Sequence, residues 1–249
     1  MKRLFGLFFV SMLLCVFSVS ANAIMIESSL DNINEGSYII KISKTDKDVK
    51  ANVIFKNQVY TYTLSVGDNY IPLQFGNGTY EFEIFENVYR DKYKKVGVKT
   101  VNIDTDFDPF LSANSIVNIS TAQNTIKETD KIITKKMTDE EKIEKLYNFV
   151  ITNLSYDYRK DVDGLNSDID KIMEEQEASY SDYAVVLTTL LRNYGIPSKL
   201  ALGKHESLNT DSAFVIILNE DTEKWIEPFY ERENKYIEDA SNIVIYKYY

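Results

Sequence analysis

The chain has 249 residues, is 44% hydrophobic and 27% charged, and carries a formal net charge of −10. An acidic balance of this size argues against nucleic acid and anionic lipid surfaces as partners. A single cysteine, Cys15, and a single histidine, His205, exclude a cysteine or histidine metal cluster, and neither a metal nor another cofactor is expected.

The first 23 residues read as a secretory signal. Lys2 and Arg3 form a basic head, Leu4 to Val19 is largely apolar, and Ala21-Asn22-Ala23 offers the small residues a signal peptidase accepts. The apolar run falls short of the ~20 residues of a spanning helix, so no transmembrane segment is expected after cleavage. Loss of Lys2 and Arg3 moves the formal charge from −10 to −12. Cys15 leaves with the signal, and the mature chain then has no disulfide, thiolate nucleophile or cysteine ligand. The expected location is outside the cell, with attachment to the cell wall left open.

From Gly36 to about Asp104 the pattern has a period of two. "GSYIIKISK", "KANVIFK", "QVYTYTLSV", "NYIPLQF", "TYEFEIFE" and "KKVGVKTVNI" are short runs rich in Val, Ile, Tyr, Phe and Thr, separated by turn residues. This predicts an antiparallel sandwich over residues 24–110. Gly76-Asn77-Gly78 predicts a tight hairpin.

The period changes beyond about Ser112, and residues 111–249 are expected to form an α+β domain. Thr121 to Met137 is compatible with a helix. Thr138-Asp139-Glu140-Glu141 is a capping box, and Ile143, Leu146, Tyr147, Val150, Ile151 and Leu154 follow on one helical face. Ser181 to Tyr194 predicts the next helix, with Ser181 as its cap, Gly195 as its stop and Pro197 beyond. "SKLALGK", "SAFVIILN", "KWIEPF" and "NIVIYKYY" read as strands. The acids Asp161, Asp163, Asp168, Asp170, Glu174 and Glu175 fit no calcium-loop spacing and read as a solvated face.

Lys131 to Phe229 resembles the transglutaminase-like superfamily, a papain-like fold found in secreted bacterial proteins. The resemblance rests on "EKIEKLYNFVITNLSYDY", on "DYAVVLTTLLRNYGIPSKLALG", on "SAFVIIL" and on "KWIEPF". It implies an α+β transglutaminase-like domain behind the all-β sandwich. It also implies a Cys-His-Asp triad, with the cysteine at a helix start, the histidine on a strand and the aspartate on another. Counted from Tyr183-Ala184, the cysteine position is Tyr180. Counted from Ala213-Phe214, the histidine position is Ser212. The aspartate position is Phe229 by count from Trp225, or Glu227 if Glu227-Pro228 stands for an Asp-Pro pair. The resemblance therefore argues for the fold and against the family's chemistry.

A phenol titrates near 10, so Tyr180 is expected to cover the cleft and not to act as a nucleophile. The expected function is non-catalytic: binding or scaffolding at the cell envelope, through a groove lined by Tyr180, Ser181, Ser212, Phe214 and Trp225. The partner would be a peptide, an envelope protein or a wall glycan. The rival reading is a weak peptidase or acyl transferase using Ser179 or Ser181 with His205, and His205 itself reads first as an exposed loop residue.

Overall fold

The computed structural model describes residues 26–31, 36–105, 108–162, 165–206, 210–219, 222–229 and 235–249. The expected signal segment, with Cys15, lies outside the described residues, as does Asp163.

Seven antiparallel strands build the first half. β1 (Ile26–Ser29), β2 (Ser37–Ile42) and β5 (Gly67–Pro72) form one sheet in the order β1-β2-β5. β3 (Val49–Phe55), β4 (Gln58–Leu64), β6 (Gly78–Tyr89) and β7 (Lys92–Ile103) form the other in the order β4-β3-β6-β7. The period of two becomes burial: Val49, Ala51, Val53 and Phe55 on β3, and Tyr80, Phe82 and Ile84 on β6, all point into the core. Tyr38 stacks on Phe82 with ring centroids 4.2 Å apart, joining the two sheets.

The Gly76-Asn77-Gly78 turn is not a hairpin. It carries the chain from β5 in one sheet to β6 in the other, with Gly76 at φ 69 and Gly78 at φ 141. Asn77 holds the crossover by exchanging two 3.0 Å hydrogen bonds with the backbone of Thr105. The true hairpins turn at Lys56 (φ 53) and Arg90 (φ 50).

The second half packs α1 (Gln123–Thr129), α2 (Asp139–Asn153), α3 (Ile169–Glu175) and α4 (Tyr180–Asn193) around one face of a sheet. Two short strands, β8 (Ser155–Tyr156) and β9 (Glu177–Ala178), run parallel beside the start of α4. The sheet takes β10 (Ser198–His205), β11 (Thr210–Asn219), β12 (Thr222–Ile226), β13 (Tyr236–Ile237) and β14 (Ile243–Tyr248), in the order β13-β12-β11-β10-β14.

The helix expected over 121–137 is cut short. α1 ends at Thr129, whose hydroxyl bonds back to the carbonyls of Thr125 and Ile126 and meets Tyr194 Oη at 2.8 Å, and turns follow. The capping box on α2 forms as expected: Thr138 Oγ1 accepts from Glu141 N, and Glu141 accepts from Thr138 N at 2.8 Å. Three acids of the expected solvated face make local bonds. Asp168 caps α3, Asp170 accepts from the amides of Asn124 and Thr125 at the start of α1, and Glu175 pairs with Lys160.

α4 is the hub, with every residue from Ser181 to Arg192 buried. Gly195, at φ 77, turns the chain out of it. Arg192 projects from its last turn and donates to three carbonyls: Ser198 at 2.9 Å, Ser112 at 2.6 Å and Tyr249 at 2.9 Å. The end of the chain also touches the sandwich. Tyr62 Oη donates to the Tyr248 carbonyl at 3.1 Å, and Lys247 Nζ lies 4.7 Å above the Tyr62 ring.

A polar clamp ties α2 to β12 and β13. Burial pushes the Glu140 carboxyl upward. Hydrogen bonds from Tyr236, Lys224 and Lys235 together outweigh it and hold the group at about 2. Its ordinary value is 4.5, so the clamp's contribution is complete above that pH and is lost as pH falls toward about 2. In urea melts between roughly pH 5 and pH 2.5, a Lys224→Ala/Lys235→Ala variant should lose stability less steeply on acidification than the parent. An equal slope would assign the acid sensitivity to other carboxylates.

Candidate functional site

The start of α4 is built by Ser179 and not by Ser181. Ser179 Oγ accepts from Asp182 N at 3.2 Å, and Asp182 Oδ2 accepts from Ser179 N at 2.8 Å, a full capping box. The signal was present as Ser-x-x-Asp, two residues before the expected cap. Ser181 instead sits in the first turn, its Oγ 3.0 Å from Ser179 Oγ, and both serines are buried. Asp182 Oδ1 is buried without a hydrogen-bond partner among the described residues. Burial, opposed by the bonds from Ser179, raises the Asp182 carboxyl above its ordinary range.

Across from this helix start, β11 alternates. Ala213, Val215 and Ile217 join the main core under α4, while Phe214 and Ile216 join a second, smaller core with Ala201 on the other face. Ser212 shares the parity of Phe214 and Ile216. Ser212 is 1% exposed and its Oγ donates to Glu227 Oε1 at 2.5 Å. Glu227 follows the end of β12 and is itself 1% exposed. Of the two residues weighed for the acid position, Glu227 is the one that meets Ser212. Phe229 packs its ring against Tyr156 at 4.2 Å and Tyr183 at 6.1 Å.

His205 is not an exposed loop residue. It ends β10 opposite Thr210, its side chain is 17% exposed, and its ring stands edge-on to Phe214 at 5.6 Å. Its Nε2 lies 2.9 and 3.1 Å from the two carboxylate oxygens of Glu227. A carboxylate only accepts, so Nε2 carries the proton and donates. Both contacts come from the one nitrogen, Nε2, and go to Glu227, and neither Ser179 nor Ser181 is a partner. The structure thus gathers Ser212, His205 and Glu227 into one cluster. The serine–histidine contact that the rival reading requires does not form.

The expected groove needs correction. Phe214 is fully buried, so it belongs to the second core and lines no opening. Trp225 is half-buried beside it, with ring centroids 6.1 Å apart. Tyr180 is half-buried against the main core. The aromatic surface lies instead around the helix start: Tyr156 at 44% exposure and Phe229 on one side, Tyr180 and Tyr246 on the other. Tyr246 Oη donates to Asp211 Oδ1 at 3.3 Å. Burial first, then the Asp211 carboxylate and the Tyr180 phenol, push the Tyr246 hydroxyl upward.

This arrangement has a long helix packed on one face of a sheet whose strands carry a buried acid and an imidazole with the parity of the second core. Residues 127–238 match the family model described as "Transglutaminase-like superfamily". These residues form a transglutaminase-like domain. It contains no cysteine, since the chain's sole cysteine is residue 15. A solved structure described as "a Putative Cysteine Protease from Cytophaga hutchinsonii" aligns with a TM-score of 0.45 and 13% identity, over 82% of this chain and 72% of that one. No curated protein matches the chain in sequence. Among the described residues, no group of three or more His, Cys, Asp or Glu side chains gathers closely enough to hold a metal ion, and no helix is long and apolar enough to cross a membrane.

Proposed function

We propose that the transglutaminase-like domain is a pseudoenzyme whose cleft face serves binding at the cell envelope. The observation that carries this reading is the commitment of His205 to Glu227. The imidazole is the chain's only one, and its two hydrogen bonds go to a buried carboxylate. A hydroxyl nucleophile needs an adjacent base, and Ser179 and Ser181 bond to each other and to the helix start instead. Tyr180 stands at the position that the resemblance gives to the family's cysteine. The exposed rings of Tyr156 and Tyr246 at the helix start give a surface suited to a peptide or glycan, each ring offering an apolar face and a polar tip.

One observation favours the enzymatic alternative. A histidine held by a buried carboxylate is the orienting half of a hydrolytic triad, and the His205–Glu227 pair has that form. A serine at position 179 or 181 would have to leave the capping box to reach it.

Turnover by the mature protein tests both readings. The protein would be incubated with glutamine-containing peptides, a primary amine and wall-derived peptides, beside a Ser179→Ala/Ser181→Ala variant and an active family member. Mass spectrometry should detect product only with the active member. Product from this protein that disappears in the double variant would make the serines catalytic and overturn the proposal.

A further inference from the structure

The sandwich opens along one side. β1 ends one sheet and β7 ends the other, so among the described residues neither has a strand beyond its outer edge. Between these edges lies a cleft of about 360 Å³. Its floor is Tyr38, Ile40, Phe82 and Ile84, none more than 5% exposed. The register explains the opening. Farther along β7, Val101 and Ile103 close the core, but the positions opposite Phe82 and Ile84 hold Lys99 and Gly97.

The charge of β7 is also unusual for this chain. It carries Lys92, Lys94, Lys95 and Lys99 and no acid, within a protein of net charge −10. Lys95 pairs with Glu83. Lys92, Lys94 and Lys99 are exposed and form no ion pair among the described residues. Lysines on an edge strand can simply discourage edge-to-edge aggregation. That role needs no apolar cleft behind them, and this edge has one.

We propose that the mouth between β1 and β7 is a docking site for an extended segment of another protein that carries, on one face, apolar residues flanked by acids. Such a strand would pair with the free backbone edge of β7, as in other cases of strand addition. On the face turned to the cleft, its apolar side chains would enter and its flanking acids would meet Lys99 and Lys94, which share that face opposite Phe82 and Glu86, with Lys92 beyond. The site is in the sandwich and does not depend on the reading of the transglutaminase-like domain.

A suitable probe is a capped, fluorescently labelled peptide copying Thr79–Glu86, "TYEFEIFE", which already pairs with β7 through that strand's other edge. Anisotropy should show saturable binding that weakens with salt. Hydrogen exchange should slow at the outer-edge amides of β7. Two variants should each weaken binding at least about tenfold: Lys92→Glu/Lys94→Glu/Lys99→Glu, which reverses the charge, and Gly97→Val, which fills the mouth. Gly97 lies outside the left-handed region, and a Cβ there meets Ile84 and Ile26 at 3.7–3.8 Å, an ordinary contact. Valine is therefore compatible with the fold, and an unchanged Tm would verify it. Absence of saturable binding would overturn the proposal, as would equal binding by both variants. Uptake of dodecanoate without any peptide-induced protection of β7 would overturn it too, making the cleft a small-amphiphile site.

Discussion

An Arg192→Leu variant is expected to lose about 3–5 kcal/mol of stability in urea denaturation. The side chain is 4% exposed, and its three bonds tie the end of α4 to the linker at Ser112, to β10 at Ser198 and to the chain's last residue, Tyr249. Burial pulls the guanidinium down to about 9, which leaves it charged at neutral pH. Leucine fills part of the volume but donates nothing, so the buried acceptors at Ser198 and Tyr249 and the part-buried one at Ser112 lose a partner at once, each buried one at a cost of about 1–3 kcal/mol before relaxation. Lysine keeps the charge on a single nitrogen, and Arg192→Lys should fall between leucine and the parent. A cost below about 1 kcal/mol for leucine would show that water or a rearranged linker replaces the guanidinium.

The second large effect is expected at Glu227. A Glu227→Ala change removes the shared acceptor of Ser212 and His205, leaving two polar groups without it in a nearly closed site. The expected loss is about 2–4 kcal/mol. Glu227→Gln keeps one acceptor oxygen and should cost less. His205 is the only histidine in the chain, so its imidazole signals in a nitrogen-15 spectrum are unambiguous. In the parent they should report one tautomer with the proton on Nε2. In the alanine variant the ring should lose that fixed state and show tautomer averaging. An unchanged imidazole spectrum would mean that Glu227 does not position the ring.

Local features of the fold were largely legible in the residues. The Thr138–Glu141 box, the helical face from Ile143 to Val150 and the Gly195-x-Pro197 stop each depend on neighbours within a turn or two, and each formed. The site was less legible because its contacts are distant in sequence. His205 and Glu227 are 22 residues apart, and nothing in the pattern after Gly203 announces a buried carboxylate partner. Phe214 illustrates a different limit. Its strand is apolar on both faces, so alternation alone does not say which residues lie under α4 and which fill the second core. At Gly76–Gly78 the turn chemistry was read correctly, but turn residues do not specify whether the next strand pairs with the previous one or crosses to the facing sheet.

The burial of α4 has a further consequence. Amides in a helix with no exposed residue from Ser181 to Arg192 exchange with solvent mainly through global opening. The hydroxyls of Ser179 and Ser181 belong to the start of that unit, so reaching His205 would require part of the most protected segment of the domain to unwind. On the proposed binding role, a ligand at this face would meet a preformed surface.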